Sequence, residues 1–165
     1  MMSEEEKIVQ EPRYFSAEEL RRLKELESQQ ITKVLFHYWI NAAKTNDIIE
    51  LLNYIEFRFI DNTSLTIAAS DLCDCLEIKH VDIEAENIAL LEKFKGQIKL
   101  QTINKTNDEL WSRIIGYPVE DVMLDNNGAN RYYSDRVLLT FLPLNILIAI
   151  SPMGIEFSET SDQLN

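Results

Sequence analysis

The residue types best suited to chemistry are scarce in this chain: two histidines, His37 and His80, and two cysteines, Cys73 and Cys75. Cys73, Cys75, His80 and Asp82 fall within one short stretch, and all four are metal-ligating types. The cysteines are not spaced as a C-x-x-C knuckle, and no second Cys/His pair completes four ligands, so no metal is expected. On an extended segment, residues i and i+2 face opposite sides, so a Cys73–Cys75 disulfide is not expected either. His37 lies in an apolar run beside Tyr38 and Trp39, where a packed histidine is a simpler reading than a general base. The carboxylate pairs Asp71/Asp74 and Glu84/Glu86 read as solvated charge runs. The glycines Gly96, Gly116, Gly128 and Gly154 are too scattered for a phosphate-cradling loop, and no G-x-S-x-G elbow occurs. No catalytic residue and no cofactor is therefore assigned, and the chain is read as non-enzymatic.

Two stretches offer binding chemistry instead. Asn130, Arg131, Tyr132 and Tyr133 end a loop that opens at Asn126. Arg and Tyr anchor interfaces because they bury large areas at modest entropic cost. Asp71, Asp74 and Glu77 make an acidic strip beside a hairpin. These are the candidate partner-binding residues. The competing reading of Tyr132 and Tyr133 is that they open the next strand and pack on the sheet.

The formal charge is −12, from 28 acidic and 16 basic residues. A nucleic-acid binder needs a basic surface for phosphates, and docking on anionic lipid needs the same, so neither is expected. The charge suits a basic protein partner, and it also suits solubility alone. The longest apolar run, Val137 to Ile150, is interrupted by Thr140, Pro143 and Asn145 and falls short of the roughly 20 residues of a membrane span. The first residues lack the basic start and apolar core of a secretion signal, so the expected home is the cytoplasm.

The elements that must position these residues are mostly strands. Residues 1–14 read as a flexible acidic arm. Ser16 and Glu19 form a capping box for a helix to about Ser28, with Leu20, Leu23 and Leu26 on one stripe, packing on the outside of a sheet. Ile31 to Ile40 is a strand with both faces partly covered. Asn41 to Asp47 is a loop. Ile55, Phe57 and Phe59, then Leu65, Ile67 and Ala69, alternate across a turn at Asp61–Ser64, which is a hairpin. Leu76–Ile78 is a third strand, Asp82 caps a helix to Phe94, and Gln97 to Ile103 is extended. Thr106–Glu109 reads as a second capping box before a short helix. Strands follow at Val119–Leu124, Asp135–Leu142, Ile146–Ile150 and Ile155–Phe157, the third continuously apolar and so expected to be covered on both faces. Residues 159–165 are a polar tail.

The runs FRFIDNTSLTIAAS and LTFLPLNILIAIS align, with Phe59 on Phe141, Ala68 on Ala149, Ser70 on Ser151 and Leu76–Ile78 on Ile155–Phe157. Ile31–Ile40 then corresponds to Val119–Leu124, giving possible repeats over 17–79 and 107–158. The expected fold is one α+β domain over 15–158, with antiparallel sheets of about eight or nine strands in a sandwich or barrel and two or three short helices. The leading function is a small acidic protein-binding module of the immunity or antitoxin kind. Its rivals are a small-ligand-binding or enzymatic β-barrel and a structural subunit that self-associates, as a homodimer, through sheet edges.

Overall fold

A computed structural model describes residues 11–41 and 49–160. The arm before residue 11, most of the Asn41–Asp47 loop and the tail beyond Thr160 lie outside the described residues. The elements are α1 (Ala17–Glu25), β1 (Ile31–Asn41), β2 (Ile49–Phe59), β3 (Ser64–Ala69), β4 (Leu76–Lys79), α2 (Ile83–Lys93), β5 (Ile98–Asn104), α3 (Glu109–Ser112), β6 (Asp121–Met123), β7 (Arg136–Thr140), β8 (Asn145–Ser151) and β9 (Gly154–Thr160). The fold is α+β, with the strands in one mixed, mostly antiparallel sheet curled into a half-barrel.

Two antiparallel runs build that sheet. β1 to β4 pair in sequence order, with β5 added outside β1. β6 to β9 likewise pair in order. They join where β9 runs parallel to β2 at Leu52 and Gly154. A second junction is antiparallel, between Gln30 and Pro118, just ahead of β1 and β6.

Directly opposed residues share a face, so the register fixes the core. Phe36, Ile55, Ile67 and Ile78 line up across β1 to β4, and Val137 with Ile148 across β7 and β8; all are buried. Trp111 of α3 sits among them, with ring centroids 5.7 Å from Phe36, 5.8 Å from Phe57 and 5.4 Å from Phe157. On the opposite face, α2 covers Tyr54, Ala68 and Leu100 with Val81, Ile83 and Leu90, and Trp39 joins the cluster. Both faces of β1 are thus covered, as its composition requires.

Some expectations from the sequence hold and others need correction. α1 packs through its expected apolar stripe, Leu23 and Leu26 being buried in the core, and the helix lies beside β4. Its Glu19 closes the expected capping box with Ser16 and also accepts the Ile78 N–H at 2.8 Å, blunting the β4 edge. The second capping box does not form. Asp108 is the N-cap without a side-chain bond, because Thr106 Oγ1 instead accepts the Val34 N–H at 3.1 Å. β8 is fully covered on one face, where Ile146 and Ile148 are buried, and only partly on the other, where Leu147 and Ala149 lie. β9 runs on to Thr160, paired with Asn145, where the sequence suggested a tail.

Candidate interaction site

The loop after β6 is held by its own asparagines. Asn126 Oδ1 accepts the Gly128 N–H at 2.6 Å, and Asn127 Oδ1 accepts those of Ala129 at 2.9 Å and Arg131 at 3.3 Å. Short amide side chains stabilise such turns, and Gly128, at φ +86°, supplies the left-handed backbone. Asn130 at φ +60° then turns the chain so that Arg131 to Tyr133 run back beside the segment ahead of α1.

That segment is the unexpected part of the site. Tyr14 forms an antiparallel bridge with Tyr133, and Phe15 N–H donates to the Tyr132 carbonyl at 2.9 Å. The Tyr14 and Tyr133 rings stack at 5.1 Å, and the Arg131 guanidinium lies 4.2 Å from the Tyr14 ring centroid. A cation over an aromatic face at an exposed site contributes about 0.5–1 kcal/mol. Residues read as the end of an arm are therefore bonded into the fold.

The acidic strip reaches the same place. Ser134 N–H donates to the Arg13 carbonyl at 2.9 Å, and the Ser134 carbonyl accepts from Leu76 N–H at 2.7 Å. Ser70 Oγ accepts the N–H groups of Asp74 at 3.1 Å and Cys75 at 3.2 Å, and its hydroxyl donates to Asp74 at 2.7 Å. That bond holds the Asp74 carboxyl below its usual range, and Arg13, 3.4 Å away, adds to the effect. Asp74 and Tyr133 thus line one pocket of about 200 Å³ together with Glu11, Pro12, Arg13 and Asp135. Burial and the neighbouring Tyr14 push the Tyr133 phenol up.

Not every candidate residue joins this group. Asp71 and Asn130 are exposed near it. Tyr132 turns inward, half-buried against the core in a cleft shared with Leu20 and Leu23. It does not open β7, which starts at Arg136. Glu77 points to the α2 side of the sheet, 3.5 Å from Lys79. Arg13, Tyr14 and Asp135 were missed, although Arg13-Tyr14 is the same Arg–Tyr pairing that marked Arg131–Tyr133.

The chemistry-bearing residues lie elsewhere. His37 is 2% exposed, its ring nitrogens 2.7 Å from Thr102 Oγ1 and 2.9 Å from Glu56 Oε1. Hydrogen bonding to His37, helped by Arg58 at 2.8 Å, brings the Glu56 carboxyl down to about 2. Tyr54 donates to Glu86 at 2.9 Å, and burial first, then that carboxylate, raises its phenol. Cys75 is buried and its thiol is pushed up, whereas Cys73 is half-exposed and His80 exposed. Among the described residues no group of three or more His, Cys, Asp or Glu is disposed to hold a metal. Among the described residues no helix is long and apolar enough to cross a membrane.

Compared with known proteins, the chain matches no family model, no curated protein and no solved structure.

Proposed function

We propose that this chain is a small acidic protein-binding module that covers a basic surface on a partner protein, in the manner of an immunity or antitoxin protein. The observation that carries the reading is the convergence of Asp74 and Tyr133 on one pocket, with Glu11 and Asp135 beside them. Carboxylates around an aromatic ring suit the insertion of a lysine or arginine side chain. Among the described residues of the lining Arg13 supplies the one cation, and it is drawn to Asp74. The formal charge of −12 works in the same direction by steering a basic partner toward the molecule.

The buried histidine supports a binding role over catalysis, since both its ring nitrogens are engaged within the protein. Small-ligand binding rests on a cleft of about 470 Å³ between α1 and the β2–β3 turn. Its cations weigh against an anionic ligand: Arg21 is held by Glu18 and Glu25, Arg22 by Glu18, and Lys79 by Glu77.

The test is kinetic, against the protein that co-purifies with this one from its own cells. The association rate should fall as salt approaches physiological strength, where the Debye length is about 8 Å. Asp71→Lys with Asp74→Lys should slow association, and Arg131→Ala should speed dissociation. A salt-independent association rate, unchanged in these variants, would overturn the proposal.

A further inference from the structure

We infer that the binding face extends across the turns joining β3 to β4 and β8 to β9, and that Leu72 and Met153, which the sequence did not single out, are its apolar anchors; this rests on the protein-binding reading above. Leu72 is 81% exposed and Met153 67%, on the turns joining β3 to β4 and β8 to β9. Exposed apolar residues are common singly, so their position has to carry the argument.

Both turns flank the segment Ser134–Asp135 ahead of β7, of which Asp135 lines the pocket. Leu76, just after the first turn, donates its N–H to the Ser134 carbonyl, and Ile150, just before the second, donates to the Asp135 carbonyl at 2.9 Å. The turns are also held by side-chain hydrogen bonds. Ser70 Oγ holds two N–H groups of the first, while Ser151 Oγ accepts the Met153 N–H at 3.1 Å in the second. Leu72 and Met153 therefore stand on turns bonded to the segment that follows the pocket's Tyr133.

Apolar anchors beside an acidic pocket match the usual layout of an interface, with a hydrophobic centre and a charged rim. Charge complementarity names the occupant: a basic protein segment carrying aliphatic or aromatic residues between its cations. Preformed turns add affinity by removing the entropy of ordering.

The experiment selects binders from a random peptide library on the wild-type protein and on the Leu72→Ser, Met153→Ser double variant. Both residues are exposed, so the variant should fold as wild type, checked by its thermal midpoint. Wild type should enrich peptides in which lysine or arginine alternates with apolar residues. Those peptides should bind the double variant at least about tenfold more weakly, as truncated anchors do. They should bind Asp74→Lys more weakly too. Equal affinity for wild type and the double variant, with loss only in Asp74→Lys, would overturn the anchor role and leave the acidic pocket standing. Enrichment of acidic peptides, or of none, would overturn both.

Discussion

Gly154 lies so close to Leu52 that a Cβ on residue 154 would sit 2.8 Å from the Leu52 carbonyl oxygen and 3.2 Å from its nitrogen. This is where β9 meets β2 and the two antiparallel runs become one sheet. Gly154 also adopts φ +103°, a conformation that side chains disfavour. Gly128 has a similar φ of +86°, yet a Cβ there would meet nothing within 4 Å. Gly128→Ala should therefore cost only the conformational strain, about 1–2 kcal/mol. Gly154→Ala should cost more, about 3–4 kcal/mol, because backbone must also move. Denaturant midpoints of the two variants check this, and equal losses would contradict the junction.

Acid should weaken the fold through Glu56. Its carboxyl is at about 2 in the folded chain against an ordinary 4.5. A lowered folded value means the stabilisation is complete above the unfolded value and is lost as pH falls through the folded one. Wild type should thus lose on the order of 2–3 kcal/mol between about pH 5 and pH 2 from this group. Glu56→Gln should be less stable at neutral pH, and the gap to wild type should close on acidification. Parallel stability curves for the two proteins across that range would contradict it.

The turn serines make a graded prediction. Ser70 Oγ serves Asp74 N–H, Cys75 N–H and the Asp74 carboxylate, whereas Ser151 Oγ accepts one N–H and donates to the Gly154 carbonyl. Ser70 is also the more buried of the two. Ser70→Ala should cost about 2 kcal/mol and Ser151→Ala about 1 kcal/mol, following the number of groups left unpaired. Thermal melts of both variants decide it.

The first hairpin was legible because alternation survives in its sequence: Phe59 and Ile67 point into the core as their spacing required. What hid was coverage from residues far apart in sequence. Nothing local tells that α1 packs beside β4 or that Leu147 and Ala149 are only partly buried. The Thr106 hydroxyl was misread because a local capping pattern lost to a β1 backbone donor 72 residues away. Of the site, the two candidate strips were readable from residue types. Their meeting was not, since it depends on Arg13 and Tyr14, which bond to both only once the sheet has curled.

The aligned stretches of sequence suggest a further proposal, that the two halves are copies of one helix-and-four-strand unit. Gln30 and Pro118 correspond in that alignment, and they pair with each other antiparallel, as a pseudo-twofold axis demands. Counting back from Phe59 and Phe141, Leu52 corresponds to Ser134. Leu52 meets Gly154 at the start of β9, and Ser134 meets Leu76 at the start of β4, one residue out of the register that sets Leu76 on Ile155. An experimental structure should superpose residues 17–79 on 107–158 with Ser70 on Ser151. Superposition that puts those serines out of register would contradict duplication.

On the proposed function, the end of the molecule carrying Asp74 and Tyr133 meets a basic protein. A photo-cross-linking amino acid placed at Asp71, beside the site, reports on that contact in the living cell. A control at Tyr117, exposed near the opposite Gln30–Pro118 junction, sets the background. The account predicts one dominant adduct from position 71, with a protein of basic isoelectric point, absent from position 117 and suppressed by Asp74→Lys. No adduct at position 71, or the same adduct at equal yield from position 117, would contradict it.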